Sequence, residues 1–220
     1  MNIKQKLIKY SENVINGKII ACKKHKLACQ RFLNDISKEG SKEFPYFWNE
    51  KEAQKIVKWF KYLVHSKGIL AGQQIELTIF QKFVLCNIYG WYHKDTGYRR
   101  FRKAYLQVGR KNAKSQMLAG VALYELMARG INASECYCLG VKRKQSKIVW
   151  NEAKLMMGKD IKKRLKITQS EIRHPKTDSV LVALSKDDGK TGDGMNPQFG
   201  LSTLFKTLFC RTLTFYILQG

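Results

Sequence analysis

The residues with the most chemistry to offer lie between positions 104 and 116, AYLQVGRKNAKSQ. Residues 104–108 are short, apolar and β-prone, which predicts a buried strand. Gly109-Arg110-Lys111-Asn112-Ala113-Lys114-Ser115 is a polar turn. Residues 117–129 have the periodicity of a helix, and Gly130 is placed to stop it. A strand, a polar loop, Lys-Ser and a helix together suit an anion. The first amides of a helix have no intrahelical acceptors, and the helix dipole favours negative charge beside them. In such a loop Lys114 reaches the β- and γ-phosphates of a nucleotide and the Ser115 hydroxyl holds Mg²⁺. An Arg110 guanidinium can add charge-assisted hydrogen bonds to the γ-phosphate, worth about 1.5–3 kcal/mol each.

The usual spacing, G-x-x-x-x-G-K-[ST], has glycine where this chain has Val108 and Ala113. Glycine is favoured where the loop wraps phosphate because it permits φ > 0 and close backbone approach. Alanine there costs roughly 1–2 kcal/mol if the residue is left-handed, and almost nothing if it is not. An ordinary basic loop is the alternative that the pattern leaves open.

The elements that must position this loop read as an α/β chain. Residues 134–139 form a second β-run, followed by a helix over 142–157, and residues 179–184 form a third. Two β-α units in succession predict a parallel sheet flanked by helices. Ahead of them, residues 3–36 and 52–63 carry apolar positions at helical spacing with lysines between. The division expected is a helical N-terminal region over 1–70, an α/β domain over 71–200 and an atypical tail over 201–220. Arg99, Arg100, Arg102 and Lys103 precede the first strand, where they either meet DNA or a neighbouring subunit, or remain solvated.

Composition narrows the partners. Of 220 residues, 41 are basic and 17 acidic, a formal net charge of +24. That excess suits a polyanion, although a lysine-rich solvated surface gives the same count. No apolar run is long enough to span a bilayer and no signal peptide is visible, so a cytoplasmic protein is expected. The six cysteines are scattered and read as reduced. Cys22, His25 and Cys29 share one helical stretch, but their spacing fits no zinc knuckle and a fourth ligand is missing.

The loop Arg110-Lys111-Asn112-Ala113-Lys114-Ser115 resembles the deviant Walker A motif of the large subunits of tailed-phage terminases, many of which carry R-K-N-G-K-[ST]. Leu77-Thr78-Ile79-Phe80-Gln81-Lys82-Phe83, Gly90-Trp91 and residues 99–102 are similar to the adenine-side segment of that family. Residues 136–149 resemble its next strand-to-helix unit, and Ala183-Leu184-Ser185 with Gly192-Asp193-Gly194-Met195-Asn196-Pro197 resembles the approach to Walker B. The likeness runs in order up to about Gly200. It implies a P-loop NTPase fold, ATP and Mg²⁺ as cofactors, and packaging of viral DNA into procapsids inside a bacterial host. Gln81 would read adenine, since one amide can both give and take a hydrogen bond. Arg110 and Lys114 would act on the transferring phosphoryl group. Gly109, Lys111, Asn112, Ala113 and Ser115 would complete the nucleotide site. Double-stranded DNA, a small terminase subunit and a portal protein are the partners implied, with room for a homo-oligomer.

One requirement is unmet. Hydrolysis needs a neighbouring strand that ends in carboxylates, one for Mg²⁺ and one to activate water. The last acidic residue is Asp193, so none follows Asn196-Pro197. Asp187-Asp188 is a lookalike, offset from the apolar run by Ser185 and Lys186. The stretch 201–220, with no acid and only two basic residues, suggests a truncated or frame-shifted fragment that is inactive alone and lacks the nuclease domain. A basic nucleic-acid-binding module and a different P-loop translocase remain the alternatives.

Overall fold

The computed structural model describes residues 1–109, 111–140, 142–185, 196–204 and 211–216. Two compact units are present, one of residues 1–58 with 77–101, the other of 59–76 with 102–220.

The first unit is built on helices α1 (Ile3–Ile15), α2 (Lys23–Lys38), α3 (Glu50–Phe60, its last two residues belonging to the second unit) and α4 (Ile79–Gly90). Strands β1 (Tyr46–Trp48) and β2 (Trp91–His93) pair antiparallel, with Trp48 opposite Trp91. Helical spacing puts Leu7 and Val14, Cys29 and Phe32, and Phe83 and Cys86 into one core. Phe32 lies edge-on to Trp48 and Phe83, its ring centroid 5.7 Å from each. Glu50 ties the start of α1 to this core. Its carboxylate accepts from the Ile3 amide at 2.8 Å, the Lys4 amide at 3.3 Å and the Trp48 indole at 2.8 Å. Burial alone would raise the Glu50 pKa, but these donors and Gln54 outweigh it and hold the carboxyl below its ordinary value.

The expectation that Arg99 and Arg100 face solvent, DNA or a neighbouring subunit is corrected here. Arg99 is 2% exposed, its guanidinium 4.9 Å from the Tyr89 ring centre. Arg100 forms an ion pair with the buried Asp35 at 2.8 Å and lies against Phe44, Tyr46 and Phe101. In the first unit aromatic faces lie against both cations and replace part of their hydration.

The second unit holds a mixed sheet. Its strands are β3 (Lys103–Val108), β4 (Glu135–Gly140), β5 (Lys166–Ile167), β6 (Glu171–His174), β7 (Ser179–Ser185), β8 (Pro197–Leu204) and β9 (Arg211–Tyr216), in the spatial order β3-β9-β8-β4-β7-β6-β5. The parallel pairing predicted from the β-α succession holds where β4 lies between β7 and β8. Antiparallel neighbours flank it, β6 and β5 on one side and β9 with β3 on the other. β3 was expected to be buried and is not. It has one described neighbour, and Lys103, Tyr105 and Gln107 alternate outward, Tyr105 being 58% exposed.

Helices α5 (Lys114–Leu123), α6 (Arg143–Met156) and α7 (Lys159–Lys162) complete this unit. The helix predicted to run to residue 129 is α-helical only to Leu123. It continues as a π-turn, Tyr124–Ala128, and stops before Gly130 at φ 79°. Residues 59 and 60 seat α5. The Trp59 indole donates to the Gly120 carbonyl at 2.9 Å, and a Cβ on Gly120 would come within 2.3 Å of the buried Phe60 ring.

Two expectations follow. Gly120→Ala should destabilise the protein by about 1–3 kcal/mol through overpacking against Phe60; an unchanged urea midpoint would show that α5 is not seated by this contact. Because the folded Glu50 pKa lies below its ordinary value of 4.5, its contribution is present above that pH and fades as pH falls through it. The Tm gap between wild type and Glu50→Gln should therefore narrow with acidification from pH 7 to below 4.5.

Candidate functional site: the loop between β3 and α5

The loop that leaves β3 turns sharply because two of its residues adopt left-handed backbone. Lys111 has φ 63°, and Ala113, the N-cap of α5, has φ 49° and ψ 23°. Neither is glycine, so each carries a strain of about 1–2 kcal/mol. Strain of this kind survives where the surroundings over-determine the backbone, and such residues cluster at ligand sites. The Asn112 side chain braces the turn, donating from Nδ2 to the Gly109 carbonyl at 3.3 Å. Sequence reading placed Asn112 in the nucleotide site and missed this brace. The habit of Asn side chains to bond nearby backbone was the available signal.

Beyond Ala113 the helix begins at once. The Met117 amide donates back to the Ala113 carbonyl at 2.9 Å, which closes the first turn. The Ser115 and Gln116 amides donate to no acceptor among the described residues. Orphan donors at the positive end of a helix dipole are what an anion needs.

Lys114 is only 9% exposed. Its ammonium donates to the Val108 carbonyl at 2.7 Å and to the Gly109 carbonyl. The side chain thus folds back onto the loop's own carbonyls. The cation, the two orphan amides and the left-handed turn all favour negative charge. Among these loop residues only the Ser115 hydroxyl suits Mg²⁺, so the second, carboxylate half of a metal site has no counterpart in the loop.

The other sequence-predicted residues are distributed as follows. Arg110 lies outside the described residues, as do Asp187, Asp188 and the stretch 192–195. β7, which leads toward Asp187, is four places from β3 in the sheet order. β8, the strand after the Asn-Pro turn, is two places from β3, and its sequence PQFGLSTL contains no acid. Gln81 belongs to the first unit, where it completes a capping box with Thr78. Its Oε1 accepts from the Thr78 amide at 2.9 Å, while Thr78 Oγ1 accepts from the Gln81 amide at 3.3 Å. One half of the Gln81 amide is therefore committed locally.

The remaining titratable groups are engaged elsewhere. Glu152 takes the Ser66 hydroxyl and an ion pair with Lys67, and Glu125 lies 3.8 Å from Arg129. The His25 ring nitrogen sits between the Tyr10 hydroxyl at 2.9 Å and the Cys29 thiol at 3.7 Å. Burial lowers the pKa of His25 and raises that of Cys29. His174, in β6, bonds Thr177 at 2.8 Å. Among the described residues no three His, Cys, Asp or Glu side chains form a metal cluster. No described helix is long and apolar enough to cross a membrane.

Ala113 gives the direct test of this backbone. Since its φ is positive, Ala113→Gly should raise stability by roughly 0.5–1 kcal/mol, the relief of strain outweighing the added unfolded-state entropy. A loss of stability would mean that the loop is not left-handed at this position.

Comparison with known proteins bears on the fold and the family. No curated protein matches the chain. The crystal structure of the HK97 bacteriophage large terminase superimposes with a TM-score of 0.54 at 22% identity, which is a likeness of fold. The match covers 67% of this chain and 30% of that one, so the chain spans less than a third of its length. A family described as "Terminase large subunit, ATPase domain" matches residues 79–210, a stretch that contains Gln81, the loop and β4 to β8. The chain belongs to the terminase large subunit ATPase-domain family.

Proposed function

We propose that this chain is the nucleotide-binding part of a motor that packages double-stranded viral DNA, and that it binds ATP weakly without turning it over. The observation that carries the proposal is the left-handed turn at Lys111 and Ala113, which leaves the Ser115 and Gln116 amides open at the mouth of α5. Lys114 exchanges the Val108 and Gly109 carbonyls for phosphate oxygens, and the exchange costs two existing hydrogen bonds. That exchange keeps affinity low. Arg110 serves the γ-phosphate and Ser115 holds Mg²⁺, and Gln81 is the family-implied residue for the base. Bound Mg²⁺ would neutralise phosphate charge, but β8, the strand after the Asn-Pro turn, carries no carboxylate to orient water.

The +24 charge supports a DNA partner. A small terminase subunit and a portal protein fit the same role, as does a host-cytoplasmic setting. These follow from family membership and not from any contact in the structure.

Binding of a fluorescent ATP analogue with Mg²⁺ should weaken about ten- to hundredfold in Lys114→Ala, the equivalent of one charge-assisted contact. Equal binding in the two proteins would remove the site, and salt-sensitive DNA binding untouched by the substitution would then favour a plain nucleic-acid-binding module. Steady phosphate release by the wild type, abolished in Lys114→Ala, would overturn the absence of turnover.

A further inference from the structure

The first unit carries a concave feature unrelated to the nucleotide loop. Between the end of α1 and the first turns of α2 lies a cavity of about 340 Å³ lined by Ile15, Ala21, Lys23, Lys26, Leu27 and Gln30. Its floor is aliphatic, and Leu27 on its wall is 59% exposed. Beside it Ile20, in the loop that joins the helices, is 99% exposed. Exposed aliphatic residues of this size, gathered at a concavity, mark a surface built to be covered.

The segment that forms it is basic: Lys23 and Lys26 line the cavity, while Glu12 stands one helical turn before Ile15 on α1. From residue 13 to residue 34 the sequence contains Lys18, Lys23, Lys24, Lys26 and Arg31 and no acid, and the four lysines are exposed. Arg31 is turned away, its guanidinium 4.7 Å from the Phe101 ring centre. The lysines keep their long stems along apolar surface and their ammonium groups in water. An apolar floor framed by ammonium groups complements a ligand whose apolar face is flanked by carboxylates.

Three classes of polyanionic partner differ in what they could do here. A nucleic acid gains from the lysines but nothing from Ile15, Ala21 and Leu27, and no aromatic ring lines the cavity on which a base could stack. An anionic membrane takes a convex apolar edge, whereas this surface is hollow. An acidic amphipathic helix satisfies both halves: its aliphatic side chains fill the hollow and its carboxylates meet Lys18, Lys23, Lys24 and Lys26. We infer that the α1–α2 groove docks an acidic amphipathic helix of a partner protein. The inference stands apart from the nucleotide site, and neither depends on the other.

The test uses the full chain and a synthetic amphipathic peptide of about five helical turns, with leucines on one face and glutamates on the other. Fluorescence anisotropy should show saturable binding that weakens with added salt. Lys23→Glu combined with Lys26→Glu should lower the affinity at least about tenfold, as should Leu27→Asp, with far-UV circular dichroism unchanged. Lys114→Ala should leave it unaltered. No binding, or binding insensitive to the groove variants, overturns the inference. So does a result in which the same variants impair binding of duplex DNA or anionic vesicles while the peptide fails to bind.

Discussion

Two residues without glycine's freedom, Lys111 and Ala113, are held at positive φ in the loop that joins β3 to α5. The rest of the site depends on that constraint. With both residues left-handed, the chain reverses within a few residues and α5 starts immediately after Ala113. Its first free amides are then presented together with the Lys114 ammonium. Were Ala113 in the right-handed or extended region, the helix would begin on another axis and the Lys114 stem would not reach the Val108 and Gly109 carbonyls.

Such strain persists because other contacts hold the flanking elements. β3 is anchored on one side by β9, and α5 rests on Trp59 and Phe60 through the bare backbone of Gly120. A second strand-to-helix junction shows the same economy. At the end of β4, a Cβ on Gly140 would lie 2.5 Å from the Ser146 amide of α6, so only glycine allows that approach. Both helices therefore approach their surroundings across a glycine, one against a side chain and one against its own preceding strand.

Charge is used in two distinct ways. Arg99 and Arg100 are neutralised or covered within the first unit, by Tyr89, Asp35 and a set of aromatic rings. Lys114, also largely buried, is instead held by carbonyl dipoles, which do not cancel its charge. Carbonyl oxygens can be given up for those of a phosphate, whereas pairing with a carboxylate, as in Arg100, makes a cation structural. The basic surplus of the composition therefore overstates what is available to a polyanion.

The linear chain determined the chemistry of the loop, the order of its β-α units and the lack of any acid after Asp193. These are matters of residue type and short-range periodicity, which need no partner strand to be read. Helices α1 to α3 and the β4-α6 unit were legible for the same reason, to within a few residues. Tertiary structure alone decided that β3 lies at an edge with Tyr105 exposed, that β9 enters antiparallel beside it, and that Arg99 and Arg100 face inward. It also decided that Gln81 caps its own helix, that α5 ends in a π-turn, and that Ala113 is left-handed. Each of these is set by pairing or packing between residues far apart in the chain, or by backbone geometry that an alanine's propensity opposes. Local preference has no information about which neighbours will override it.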